Sequence, residues 1–174
     1  DHERNLLRQI GVEHPSCSVV KNPVDASIFD NADPRLFSEE FGVSDYVLCV
    51  GRIEWRKNQA LLALALRDTD LPLVFVGHEG DVGYLSFVKK YGNNRTVFVD
   101  RVEPNSPLLA SAYAGARVFC LPSWSEGAPL VALEAAASGC TMVLSDRSSE
   151  SEYFGDLARY VDPSDPGDIR TKVL

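Results

Sequence analysis

Residues 117–139 read RVFCLPSWSEGAPLVALEAAASG, and this stretch decides the fold. Arg117–Leu121 is an apolar run of strand length that ends at Pro122. A polar loop, Ser123–Gly127, follows, and then the helix-forming run Leu130–Ser138, closed by Gly139. Pro129 stands where a first helical turn tolerates a missing N–H, and Gly139 is a natural helix terminator. The spacing therefore predicts a strand–loop–helix unit whose helix N-terminus presents unpaired backbone N–H groups and a partial positive charge, a place for an anion such as a phosphate. Glu126 and Glu134 frame the unit eight residues apart, just over two turns if the loop were helical, so both are expected to address one crevice. Carboxylates repel phosphate but accept hydrogen bonds from sugar hydroxyls. A helix N-terminus flanked by acids points to a ligand carrying both phosphate and polyol, which a nucleotide sugar does.

Outward from this unit the same pattern repeats. Tyr46–Val50, Leu71–Val76, Thr96–Val99, Thr141–Leu144 and Ala158–Val161 are further strand-length runs, and Cys17–Val20 reads as a short strand. Helical patterns lie at 2–11, 58–67, 82–91 and 106–114, with a short one at 150–154 and another from Asp165 onward. The Asp-, Asn- and Pro-rich segment from Asn22 to Asp33 favours turns. Apolar strands separated by helices mean parallel strands covered on both faces, and right-handed crossovers then give a doubly wound, Rossmann-like α/β sheet. Ligands bind such sheets at the carboxyl ends of the strands. That rule gathers four loops, 51–58, 77–81, 100–105 and 123–129.

The bulk properties agree. A chain of 174 residues with 45% hydrophobic and 24% charged residues is ordinary for one globular domain. Its formal charge of −8 argues against nucleic acid as a partner, because phosphate backbones need clustered Lys and Arg. No apolar run reaches membrane-spanning length, and residues 1–11 do not form a signal peptide. The four cysteines contain no Cys-x-x-Cys pair, and Cys17, Cys49 and Cys120 fall in strand-like runs. That usage points away from disulfides and zinc and towards a reducing cytoplasm.

The loop Gly51-Arg-Ile-Glu-Trp-Arg-Lys-Asn58 is the second informative stretch. Gly51 permits close backbone approach, and Arg52, Arg56 and Lys57 bring three cations to the ligand edge of an acidic protein. Arg grips phosphate oxygens with a forked geometry and Lys adds a point charge. Alone, the loop reads more readily as a solvated one pairing with surface carboxylates. Beside a second phosphate-ready loop, the ligand reading is favoured.

These residues carry a family resemblance. KNPVD at 21–25, GRIEWRKN at 51–58, SEGAPLVALEAAASG at 125–139 and SDRSSESEYFGDLARYVDP at 145–163 match, in order and spacing, those of retaining glycosyltransferases of family 4. The chain resembles their C-terminal, donor-binding domain, one of the two Rossmann-like domains of the GT-B fold. The resemblance implies that residues 1–174 are that domain, with the N-terminal acceptor-binding domain of the same enzyme absent from this chain. It implies a hexosyltransferase taking a UDP- or GDP-sugar donor, without a metal or other cofactor, to a glycan or lipid-linked acceptor in polysaccharide biosynthesis.

Arg52 and Lys57 would then hold the donor diphosphate, Glu126 would address the transferred sugar, and Glu134 the ribose hydroxyls. Gly51 and the backbone N–H groups of Gly127, Ala128 and Leu130 would face the donor, and the base would sit against the loop at Arg101 and Val102. The resemblance further implies a cytoplasmic enzyme, meeting the inner face of the membrane only through the missing domain, and a fragment that transfers nothing alone.

The chain departs from the family where Glu126-Gly-Ala-Pro-Leu-Val131 replaces Glu-Gly-Phe-Gly-Leu-Pro and where Arg147-Ser-Ser-Glu150 replaces a glycine-rich loop. Two other classes stay open: an epimerase or phosphorylase of the same architecture, and a non-catalytic nucleotide-binding or scaffold domain. Blander roles also stand beside the chemical ones. Glu126 could merely complement a helix dipole, His78 could be a solvated loop residue, Trp55 and Trp124 could line a hinge, and Asp25 reads as a structural turn residue.

Overall fold

A computed structural model describes residues 2–14, 16–147 and 149–174. Ser148, in the Arg147–Glu150 loop, lies outside the described residues. Six parallel strands form one sheet: β1 (Tyr46–Val50), β2 (Leu73–Val76), β3 (Thr96–Val99), β4 (Ala116–Leu121), β5 (Met142–Ser145) and β6 (Ala158–Val161). Their spatial order is β3-β2-β1-β4-β5-β6. The chain steps one way from β1 through β3, returns across the sheet, and steps the other way from β4 through β6. Right-handed connections then place the helices of the two halves on opposite faces. The doubly wound Rossmann-like sheet expected from the sequence is therefore the fold.

The helices follow their local chemistry. Between the strands run α4 (Gln59–Leu66), α5 (Tyr84–Tyr91), α6 (Pro107–Ala114), α7 (Leu130–Ala137) and α8 (Glu150–Phe154), with α9 (Pro166–Val173) last. Ser106 caps α6 by accepting from the Leu109 N–H, and Asp165 caps α9 by accepting from Gly167 and Asp168, each just before a proline that fits the first turn. Helix α4 packs with α5 and α9, while α6 packs with α7 and with two helices that precede the sheet, α2 (Ala26–Phe29) and α3 (Arg35–Phe41). β1, β2 and β5 are buried along their whole length, as central parallel strands should be, whereas the edge strands β3 and β6 are only partly covered.

Several expectations are corrected. Cys17–Val20 forms no strand: the four residues are exposed and pair with neither edge of the sheet, so Cys17 lies on the surface while Cys49 and Cys120 are buried free thiols in β1 and β4. The segment expected to be all turn contains α2, whose N-cap is Asp25, and α3 follows it. Phe37 of α3 is buried against Phe41 and Tyr46, and its backbone N–H donates to the buried Ser111 hydroxyl. The opening helix, α1 (His2–Gln9), buries no residue. Among the described residues no helix is long and apolar enough to cross a membrane.

Two strand ends converge at glycines. Gly77 has φ +148°, and a methyl group there would lie 2.1 Å from the Gly51 carbonyl oxygen. That contact is backbone against backbone and cannot be relieved by a side-chain rotation. Gly77→Ala is expected to destabilise the fold by about 2 kcal/mol or more. Gly139→Ala, at φ +71° with nothing within 4 Å, should cost only about 1 kcal/mol, the backbone strain alone. Urea titration of the two variants checks the difference.

Candidate active site

The carboxyl ends of β1 and β4 are neighbours from which the chain leaves in opposite directions, which opens a crevice at the switch point. The loop after β1 is built tightly. Ile53 extends the pairing of β1 and β2 by bridging to Glu79, its N–H donating to the His78 carbonyl oxygen and its own carbonyl accepting from Gly80. The chain then makes a 3-10 turn, Trp55–Lys57, and enters α4 through Asn58 at φ +59°. The buried Asn58 amide donates to the carbonyl oxygens of Pro122 (3.0 Å) and Pro163 (2.8 Å). One side chain thereby ties the loops that follow β1, β4 and β6.

Charge is then laid across the crevice as a chain. Lys57 Nζ lies 2.6 Å from Glu126 Oε1, and Arg56 donates to Glu126 Oε2 at 3.0 Å and to the Ser125 carbonyl oxygen at 2.9 Å. Arg56 also reaches Glu54 at 2.7 Å, and Glu54 meets Arg52 at 3.4 Å. Three cations and two carboxylates leave a local excess of one positive charge in a protein of net charge −8. Lys57 and Glu126 are buried, while Arg52 and Arg56 stay exposed at the rim. The basic residues do pair with carboxylates, as the blander reading held, but those carboxylates are buried ones facing the crevice. Glu126 is no mere complement to the α7 dipole, because both its oxygens are bound by cations of the opposite loop.

Beside this chain lies a cavity of about 260 Å³ whose lining includes Gly51, Arg52, Arg101, Val102 and Glu134, together with His78. Five sequence-predicted residues thus share one wall. Glu126 and Lys57 do not line it, and Gly127 lines a separate cavity of about 350 Å³ with Ser149 and Tyr153. Helical spacing does not bring Glu126 and Glu134 together. The loop is not helical, and Pro129 at its end is extended at ψ 92°, so the two carboxylates part company. Ala128 and Leu130 occupy the loop end and the first position of α7, and Pro129 makes no side-chain cap. Glu134 is half-buried, which raises its pKa, and a hydrogen bond of 2.6 Å from the Tyr113 hydroxyl opposes that rise.

Sequence reasoning missed several members. Tyr113 carries no signal that distinguishes it from a core residue, whereas Glu54 and Asn58, both within the Gly51–Asn58 stretch beside the cations, could have been picked out. Trp55, weighed as a hinge residue, packs its ring on Tyr84 and Phe87 at 4.4 and 5.0 Å. The exposed Trp124 is tied through its N–H to the Arg56 carbonyl oxygen. Ser149 donates to the Gly127 carbonyl oxygen, so the loop after β5 supports the loop after β4.

The family is shown by comparison with known proteins. The glycosyl transferases group 1 family matches residues 32–174. The chain belongs to this family. It is 30% identical over 149 residues to the O-antigen chain mannosyltransferase B of Escherichia coli, covering 81% of this chain but 39% of that protein. Sucrose-phosphate synthase from Thermosynechococcus elongatus has a similar fold, with a TM-score of 0.84 at 21% identity over 99% of this chain and 46% of that one. So has Anabaena Alr3699/HepE, solved in complex with UDP and glucose, with a TM-score of 0.81 at 18% identity over 98% of this chain and 50% of that one. This glycosyltransferase domain therefore spans half or less of the length of each relative.

Glu150 stands out within the domain. It is fully buried at the start of α8, and no other described residue gives either carboxylate oxygen a hydrogen bond. Burial pushes its carboxyl up to about 7, with Glu126 and Asp146 adding to the rise and its own backbone N–H and Lys57 opposing it. A carboxyl that holds its proton more tightly when folded than when unfolded costs the fold stability as pH rises from its unfolded value through the folded one. Glu150→Gln is therefore expected to gain on the native protein between about pH 4.5 and 7, by on the order of 2–3 kcal/mol. Below pH 4.5 the difference should be flat. Denaturation midpoints across pH 4–8 measure it.

Proposed function

We propose that the domain is the donor-binding, C-terminal half of a retaining glycosyltransferase that transfers a hexose from a UDP- or GDP-sugar to a glycan or lipid-linked acceptor. The observation that carries this reading is the chain of three cations laid across the crevice from the buried Lys57 through Arg56 to Arg52, which lines a cavity that also holds a carboxylate, Glu134, at the switch point of the sheet. A nucleoside diphosphate needs both features, cations for the phosphates and a hydrogen-bond acceptor for the ribose. Support also comes from Anabaena Alr3699/HepE, a fold relative described with UDP and glucose bound. An acceptor-binding domain would supply the other half, in keeping with the fraction of the relatives that this chain spans.

In this reading the base lies against Arg101 and Val102, the ribose on Glu134, and the diphosphate over Gly51, Arg52 and Lys57. The sugar then lies towards Glu126 and the N–H groups of Gly127, Ala128 and Leu130. The sugar C1–phosphate oxygen bond breaks as the acceptor oxygen attacks from the same face, and the acceptor proton passes to the leaving diphosphate. The domain's own contribution is electrostatic. Preplaced cations stabilise charge that grows on the diphosphate, at no cost of reorganisation during the step. An arriving diphosphate would share Lys57 with Glu126 and so loosen that carboxylate for the sugar hydroxyls.

Calorimetric titration with UDP, GDP and their sugar conjugates tests the proposal. One nucleotide should saturate, and Arg52→Ala and Glu134→Ala should each weaken it about tenfold, equivalent to roughly 1.4 kcal/mol. Absence of saturation by either nucleotide, or affinity indifferent to both substitutions, rejects the site.

A further inference from the structure

Tyr113 is wholly buried in α6 and does not line the cavity, yet its hydroxyl donates to Glu134 Oε2 at 2.6 Å. Its ring is fixed between Phe29 and Phe119, with centroids at 5.9 and 5.8 Å. The helix that carries it is anchored on both sides, because Tyr46 donates to the Ala112 carbonyl oxygen at 2.8 Å and Ser111 accepts from the Phe37 N–H at 2.9 Å. A phenol held this rigidly presents one donor in one direction. We propose that Tyr113 is the positioning residue of this site, a buried phenol that locks the Glu134 carboxylate so that it selects a ribose over a 2′-deoxyribose in the nucleoside diphosphate. The inference rests on the donor-site reading above.

The physical case has two parts. First, a carboxylate on a three-bond side chain samples many orientations, and recognition of a hydroxyl pair demands one of them. Tyr113 removes that freedom by occupying one lone pair of Oε2, leaving Oε1 for the ligand. Second, the half-buried Glu134 must stay ionised to accept from hydroxyl donors. Burial raises its pKa, and the phenol's hydrogen bond is the influence that lowers it again. Tyr113 itself, driven well above its ordinary value by burial and by the adjacent carboxylate, keeps its proton and cannot reverse the bond. Loss of the hydroxyl would therefore release Glu134 both mechanically and electrostatically, with its carboxyl taking up a proton at higher pH than before.

The test is Tyr113→Phe, which keeps the ring and its two aromatic contacts, titrated calorimetrically with UDP and 2′-deoxy-UDP from pH 5.5 to 8, or with the guanosine pair if GDP is the nucleotide bound. The native protein should prefer the ribonucleotide about tenfold. In the variant that preference should fall to about twofold or less, with 2′-deoxynucleotide affinity unchanged. Its ribonucleotide binding should also weaken on acidification at a higher pH than in the native protein.

Glu134→Gln should lose the preference as well, and the double variant should lose no more than Glu134→Gln alone. Equal weakening of both nucleotides in Tyr113→Phe would mean a structural role and overturn the inference, as would an intact preference. Those outcomes leave the donor site standing. If the native protein binds both nucleotides alike, this inference alone is overturned; if it binds neither, the donor-site reading fails and takes this inference with it.

Discussion

The buried pair of Lys57 and Glu126 joins the two halves of the sheet at the point where their directions diverge. Lys57 belongs to the turn after β1 and Glu126 to the loop after β4, so their 2.6 Å contact closes the crevice floor. An ion pair withdrawn from water stabilises little by itself, since desolvation offsets most of the attraction. Its effect is specificity. Without Glu126 the buried Lys57 ammonium would lose the carboxylate that compensates it, so the two loops settle where the charges meet. Arg56 extends the constraint to the rim by holding the second oxygen of Glu126 and the backbone of Ser125. The Asn58 amide adds a neutral clamp from the same turn.

A binding crevice arises from this constraint. The carboxyl edge of a parallel sheet is a row of loops with no regular pairing of their own, and something must fix their relative height. Here backbone approach at Gly51 and Gly77 sets one side, the charge chain sets the centre, and the Ser149 hydroxyl on Gly127 supports the other side. Glu134 stands apart from that network, held by Tyr113 on the far wall. The site is therefore divided into a cationic centre and a wall that carries a hydrogen-bond acceptor.

Glu150 shows the cost of building so many charges into one edge. Its position in the first turn of α8 buries a carboxyl near Glu126 and Lys57 to which no other described residue gives a hydrogen bond. A sequence places this residue only as one acid among several in SDRSSESEYF. What distinguishes it from the neighbouring Glu152 is that α8 turns it inward.

The alternation of apolar runs and helical stretches by itself determined the parallel, doubly wound architecture, because strands without a polar face must be covered on both sides. Glycines after β1 and β2 and the cations of Arg52–Lys57 also marked the sheet edge at which the crevice opens, since local residue type decides where backbone can approach closely and where charge can gather. The motifs of 51–58 and 125–139 also carried the family. Tertiary structure alone decided the partners. The two glutamates look like a pair in sequence, yet the extended loop at Pro129 sends one to Lys57 and the other to Tyr113. Cys17–Val20 has the composition of a strand but pairs with neither edge of the sheet, and α2 forms within the segment where turns were expected, with Asp25 as its cap. Periodicity encodes which face of an element is buried; which groups meet across the crevice depends on contacts between residues as much as 105 positions apart, and a single sequence does not express those distances.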